Sequence, residues 1–219
     1  MVTVEFFHDA VCGWCYLLSP RLRDIARRYQ IKVVHRSFVL QRNDEEMINR
    51  FGSLEQAKSE ILEHWKHCQL YAEDPNRLNI DGMRKANFHY PNGLNAALAA
   101  KTAEILGGQI AHWDYFDAVQ ILHLKRNKNI ANKEVLLDVA SSIGFDRTQF
   151  QKQMTNPETR IAVDKDNVRA NDFGVKSIPS LLINEQRLIS QTLTMEQLEA
   201  LFNQLQIQSI AKEKSNVLV

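Results

Sequence analysis

The first apolar patterns along the chain are short and strand-like. Thr3-Val4-Glu5-Phe6-Phe7 alternates and then runs apolar; Ile31-Lys32-Val33-Val34-His35-Arg36-Ser37-Phe38 mixes β-branched and alternating apolar positions. Both read as strands. Between them, Tyr16 to Tyr29 reads as a helix. Strand, helix, strand within roughly 40 residues is the length of a right-handed βαβ unit, which implies parallel strands.

From about Glu45 to Thr155 the period changes to that of helices. Ser53 with Gln56 forms a capping box ahead of an apolar stripe, Leu54, Ala57, Ile61, Trp65 and Cys68. A loop is expected from Asp74-Pro75 to Tyr90-Pro91-Asn92-Gly93. It is followed by one helix from Leu94 to Leu106, stopped by Gly107-Gly108, and another from Ala111 to Leu124. Asn132 and Asp146 fit as caps of two more. Near the C-terminal end, Asn156-Pro157 opens a helix and Gly174 closes it. Ser180–Asn184 and Gln186–Ile189 then read as a tight antiparallel hairpin, and Thr194-Met195-Glu196-Gln197 starts a final helix. The expected architecture is α/β: βαβ and αββα joined into one sheet. Residues 1–40 and 156–208 form this discontinuous unit, 41–155 a helical insertion, and 209–219 a loose tail.

Composition narrows the function classes. A net charge of +1 gives no electrostatic argument for nucleic acid or an anionic membrane. No apolar run approaches the roughly 20 residues of a membrane span. Three cysteines, an odd and low count, do not suit a secreted disulfide framework, and the strand beginning at Val2 leaves no room for an export signal. The expected compartment is the cytoplasm.

The chemistry concentrates at Cys12-Gly13-Trp14-Cys15, between the first strand and the first helix. Two thiols one helical turn apart can open and close a disulfide, and this context reads as a redox centre. Half of a zinc site is the alternative, but no second CxxC or CxxH partner is present, and no metal is expected. At a helix N-terminus, free N–H groups and the dipole favour a thiolate, so Cys12 is expected to have a depressed pKa and to be the nucleophile. Cys15, one turn deeper, is the expected resolving thiol. Gly13 and Trp14 offer no charge to stabilise a thiolate further, which points to a reduction potential between the strongly oxidising and strongly reducing extremes. Cys68 continues the Leu54–Trp65 stripe and reads as core, with an additional redox thiol as the alternative. His64 with Cys68 lacks further ligands.

Several motifs together resemble the DsbA-type thioredoxin-fold family, and within it the cytosolic FrnE-like subfamily. They are Asp9-Ala10-Val11-Cys12-Gly13-Trp14-Cys15-Tyr16, Pro20 eight positions after the first cysteine, Pro91-Asn92-Gly93 in the insertion, and Gly174-Val175-Lys176-Ser177-Ile178-Pro179-Ser180. The resemblance implies a thioredoxin-like fold with a large helical insertion. It implies a cis Pro179 in a loop facing the cysteine pair, with the Ile178 backbone pairing an extended substrate chain. It also implies a buried acid on the first strand that accepts the proton of the deeper thiol. Glu5 fills that place, although its loop to the cysteine is one residue longer than in related folds. His8 and Asp9 border the loop and are expected to tune Cys12 in opposite directions. Trp14, Phe88 and Tyr90 are expected to line a substrate groove.

The function implied is thiol–disulfide oxidoreductase, with protein disulfide isomerase activity within reach. Its partners would be thiol- or disulfide-bearing proteins or small thiols. Its redox group would be its own cysteine pair, with glutathione a candidate co-substrate and no other cofactor. Two other readings fit the scaffold: a redox-sensing adaptor that holds a client protein, and a glutathione-dependent isomerase or transferase. The latter uses a serine or lone thiol at the active position, and both cysteines count against it. The oligomeric state is not legible.

Overall fold

The structure is a computed structural model that describes the backbone of residues 1–217 and the side-chain surroundings of residues 1–207. Strand β1 (Thr3–His8) leads through a short loop into α1 (Gly13–Tyr29), which ends at Gln30 in the left-handed conformation and returns as β2 (Lys32–Ser37). β1 and β2 pair in parallel, Val4 opposite Val33 and Phe6 opposite His35. The insertion follows: α2 (Asp44–Phe51), α3 (Leu54–Leu70), a 3₁₀ turn (Pro75–Arg77), α4 (Ile80–Lys85), α5 (Leu94–Gln120), a π-helical segment (Ile121–Lys125), α6 (Lys133–Ser142) and α7 (Arg147–Met154). Helix α8 (Pro157–Asp172), strands β3 (Ser180–Ile183) and β4 (Arg187–Ile189), and α9 (Met195–Val217) complete the chain. The sheet order is β2-β1-β3-β4, with β3 antiparallel to both its neighbours. The fold is thus mixed α/β, a thioredoxin-like sheet with a large helical insertion.

The caps follow the sequence. Ser53 accepts from the Gln56 N–H, Asn132 from Glu134, Asp146 from Gln149 and Asn156 from Glu158, each satisfying a first-turn donor. The hairpin turns through Asn184 and Glu185, both at positive φ, as the twist of two-residue hairpin turns requires.

The expected helix break at Gly107-Gly108 is present: Gly108 (φ 79°, ψ −170°) is non-helical, and α5 is two helical segments meeting there at a kink. Two expectations need correcting. The loop expected between Asp74 and Gly93 contains α4, a helix too short to show a period. The tail expected at 209–219 is helical to Val217; residues 218 and 219 lie outside the described residues.

Alternation along β1 decides what each face can do. Val4 and Phe6 pack toward α1 with Leu18, Leu22 and Ile25, and this core is continuous with that of the insertion through Trp65, Phe116 and Val119. Phe7 faces the other way, with Ala170, Val175 and Leu182.

Candidate active site

Cys12 is the N-cap of α1. Its backbone is extended (φ −87°, ψ 114°), and its Sγ accepts a hydrogen bond from the Cys15 N–H at 3.3 Å, where a serine or aspartate oxygen usually sits. Cys12 is partly exposed, Cys15 is fully buried, and both are in the thiol form. The Cys12 Sγ also lies 3.9 Å from the Ile178 carbonyl oxygen, on the loop between α8 and β3. The Ile178–Pro179 bond is cis. The two sequence motifs, 166 residues apart, therefore meet at one sulfur. Burial pushes the Cys15 thiol well above its ordinary range; the hydrogen bond and charge of Cys12 add to this, and a backbone hydrogen bond from Asp9 opposes it. The two thiols are thus unequal: one reachable at a helix terminus, one held protonated in the core.

Pro20 sits inside α1 and cannot donate to the carbonyl of Tyr16 four residues earlier. The freed carbonyl is not left unpaired. Arg77, from the 3₁₀ turn, donates to Tyr16 O at 3.1 Å and lays its guanidinium over the Tyr16 ring at 4.1 Å. The break in the helix is thereby closed by the insertion.

The buried acid beside the cysteine pair is Asp9, not Glu5. Glu5 lies on the β1 face turned away from α1, where Arg36 Nε reaches it at 2.6 Å and Arg169 Nε at 2.7 Å. Burial raises its pKa, but Arg169 and Arg36 together hold the carboxyl below the usual range. A carboxylate so paired cannot take a proton from Cys15, and the proton-acceptor role expected of Glu5 is withdrawn. Along β1, Glu5 shares its face with Phe7 and not with Val4 and Phe6. Asp9 is fully enclosed. Its oxygens accept from the Leu40 N–H at 2.9 Å and the Val11 N–H at 3.3 Å, and burial, only partly offset by these donors, lifts its pKa to about 6. Its charge is one of the influences that raise Cys15. A Cβ at Gly93 would stand 2.2 Å from Asp9 Oδ2, so the Pro91-Asn92-Gly93 segment closes over this carboxylate and only glycine fits.

His8 also departs from expectation. Its ring is buried against Phe116, with centroids 3.9 Å apart, and its Nε2 is 3.0 Å from His35 Nδ1. Burial, then His112 and Lys101, holds its pKa well below the ordinary value. A neutral ring cannot tune Cys12 by charge.

A cavity of about 150 Å³ opens beside Cys12, lined mainly by apolar groups, among them Trp14, Phe51, Ile61, Trp65 and Tyr90. Tyr90 lines it only with its buried ring; its hydroxyl donates to Val11 O at 2.7 Å and braces the cysteine loop. On the other side of Trp14, a shallower groove is formed with Tyr71, Pro179, Gln191 and Thr192. Phe88 is set apart from both. It lines a separate cavity of about 440 Å³ between α3 and the segment after α4, where Lys58 binds the Ala86 and Phe88 carbonyls at 2.6 and 2.9 Å. Phe88 is too far along its turn to share the wall that Tyr90 makes, and its substrate role is withdrawn.

Two residues reach the site by packing: Gln120, which the sequence does not single out, and Cys68, which it reads as core. Gln120, fully buried at the end of α5, donates to Cys12 O at 3.2 Å. Cys68 is buried, as its stripe implied, but against the active site: a Cβ at Gly13 would stand 3.0 Å from its Sγ. Burial raises the Cys68 thiol pKa well above its ordinary value, and Cys12 adds to the rise. No local spacing ties either residue to Cys12; both arrive through the packing of the insertion.

A family model, the DSBA-like thioredoxin domain, matches residues 3–203. Similar solved structures include a candidate protein disulfide isomerase from Nitrosomonas europaea, with TM-score 0.78 and 17% identity over 94% of this chain and 98% of that one. The cytosolic disulfide reductase DsbM from Pseudomonas aeruginosa superposes with TM-score 0.72 and 20% identity over 95% and 99% of the two chains. Its structure with GSH gives 0.67 and 21% over 94% and 98%. At these identities the likeness is one of fold.

Proposed function

We propose that this chain, which belongs to the DSBA-like thioredoxin domain family, is a thiol–disulfide oxidoreductase working through Cys12 and Cys15. The observation that carries the reading is the inequality of the two thiols: Cys12 at a helix N-terminus facing the Ile178 carbonyl, Cys15 buried one turn below. The Cys12 thiolate attacks a disulfide sulfur of the substrate, forming a mixed disulfide and releasing one substrate thiol. Cys15 then loses its proton and attacks Cys12 Sγ, which releases the second thiol and leaves Cys12–Cys15 oxidised. Asp9, enclosed near Cys15 with a pKa of about 6, is the group suited to take that proton.

Trp14 and Ile178 hold the substrate chain, the Ile178 backbone pairing with it beside Pro179. The apolar cavity beside Cys12 takes one side chain. Placement in the FrnE-like subfamily, a cytoplasmic location and protein or small-thiol substrates are parts of the same proposal. Glutathione as co-substrate is supported by the DsbM structure determined with GSH. Isomerase activity follows if Cys12 leaves the mixed disulfide by substrate attack before Cys15 acts. The reading is tested by mixing each variant with a disulfide-bearing protein. Cys15→Ser should accumulate a mixed disulfide through Cys12, and Cys12→Ser should form none. Equal trapping by both variants would overturn the assignment.

A further inference from the structure

We propose that His8, His35 and His112 form a binding site for one divalent transition-metal ion, of which zinc is the type, in the core between β1, β2 and α5. One nitrogen from each ring lies within 4.8 Å of the others. The three ring centroids form a nearly equilateral triangle with sides of 5.1, 5.2 and 4.8 Å. Imidazole nitrogens bind zinc at about 2.0–2.1 Å in a tetrahedral arrangement, which puts ring centroids about 5 Å apart. The rings already have that spacing. Binding has to draw the widest nitrogen pair closer and to replace the His8 Nε2–His35 Nδ1 hydrogen bond of 3.0 Å, because as paired only one of those two rings keeps a free lone pair.

The second observation is the state of the nitrogens. His35 Nε2 and His112 Nε2 are buried with no hydrogen-bond partner. On His112 the tautomer is fixed: Nδ1 must donate to the Glu104 carboxylate at 2.7 Å, so Nε2 carries a bare lone pair. A buried, unpaired polar atom is costly, and a ligand would recover that cost. A carboxylate behind a histidine whose other nitrogen is free is also the usual support of a metal-binding imidazole. Neutral imidazole suits zinc, copper and nickel better than magnesium or calcium. The surrounding charge tolerates a cation. Lys101 is paired with Glu104 at 2.7 Å and Asp166 at 2.6 Å, and Asp166 is paired in turn with Arg36.

The site does not rest on the redox reading. It lies on the core side of β1, four residues before Cys12, and would tie the strands to the insertion through His112 of α5. The sequence predicts no metal here, because the three histidines are far apart and share no spacing motif.

The test uses the full chain carrying Cys12→Ser and Cys15→Ser, so that the active-site thiols cannot take the metal. It is refolded with zinc chloride, because the rings are buried, and freed of excess metal. One retained zinc per chain and a melting temperature raised by zinc but not magnesium are expected. Cobalt(II) should give visible bands of nitrogen ligation without the intense sulfur charge-transfer band. His112→Gln should lower zinc affinity at least tenfold, and Glu104→Gln, which keeps all three rings, by about 10–100-fold. Glu104→Gln decides the matter if His112→Gln does not fold. No retained zinc, a sulfur band with cobalt, or zinc affinity unchanged in a folded Glu104→Gln protein would overturn the proposal.

Discussion

Burial separates the three thiols. Cys12 is reachable, whereas Cys15 and Cys68 are enclosed and burial holds both protonated. Alkylation follows thiolate fraction and access. In the native reduced protein, mass spectrometry should find Cys12 modified at least about tenfold faster than the other two; equal labelling of Cys68 would contradict the packing against Gly13. Asp9 makes a pH prediction. Its folded pKa of about 6 lies above the unfolded 3.8, so the native state binds the extra proton between those values. Stability contributed by the protonated carboxyl is full below about pH 4 and is lost as pH rises through 6. The loss is at most about 3 kcal/mol. Asp9→Asn cannot titrate, so denaturant unfolding should show the variant gaining on the wild type from pH 4 to 7. A difference independent of pH would show that Asp9 is not a buried acid. This residue also marks a limit of the sequence. Resemblance points to Glu5 on the strand, because related chains place the acid there. Only the face each side chain occupies separates the Arg-paired carboxylate from the one beside the thiols.

At the scale of elements, α1 is completed by a residue from elsewhere. Pro20 leaves the Tyr16 carbonyl without a helical donor, and Arg77 supplies one. Arg77→Ala should destabilise by about 1–3 kcal/mol, the cost of an unpaired buried acceptor. In a Pro20→Ala background the loss should shrink, because an alanine there brings the missing N–H. Additive losses in the double-mutant cycle would contradict this. A parallel case is Gly13, whose missing Cβ is the space Cys68 Sγ needs. The caps and the hairpin were legible in sequence because their side chains act on neighbouring backbone. The break at Gly107-Gly108 was legible from its glycines, whereas the short α4 was not, since it is below a helical period.

At the scale of the molecule, the insertion and the sheet unit share one core and a set of polar ties. Trp113 Nε1 donates to Ser19 Oγ at 2.8 Å, Ser19 to Asp117 at 2.5 Å, and Gln120 to the Cys12 carbonyl. Unfolding should therefore be one transition. Far-ultraviolet dichroism and the fluorescence of Trp14, Trp65 and Trp113 should coincide; separate midpoints would mean that the insertion melts alone. The parallel β1–β2 pair and the C-terminal hairpin were readable from their patterns, and the meeting of the Cys12 and Pro179 segments from the family resemblance that two specific motifs carry. What the insertion contributes to the site, Gln120, Cys68 and the cover over Asp9, depends on packing that no local pattern records.

The most direct measurement is the redox equilibrium of the purified chain against glutathione, with each cysteine's state read by mass spectrometry. A single two-electron transition confined to Cys12 and Cys15 is expected, at a potential between about −120 mV and −270 mV, with Cys68 a thiol throughout. No disulfide across the glutathione range, or one that requires Cys68, would contradict it.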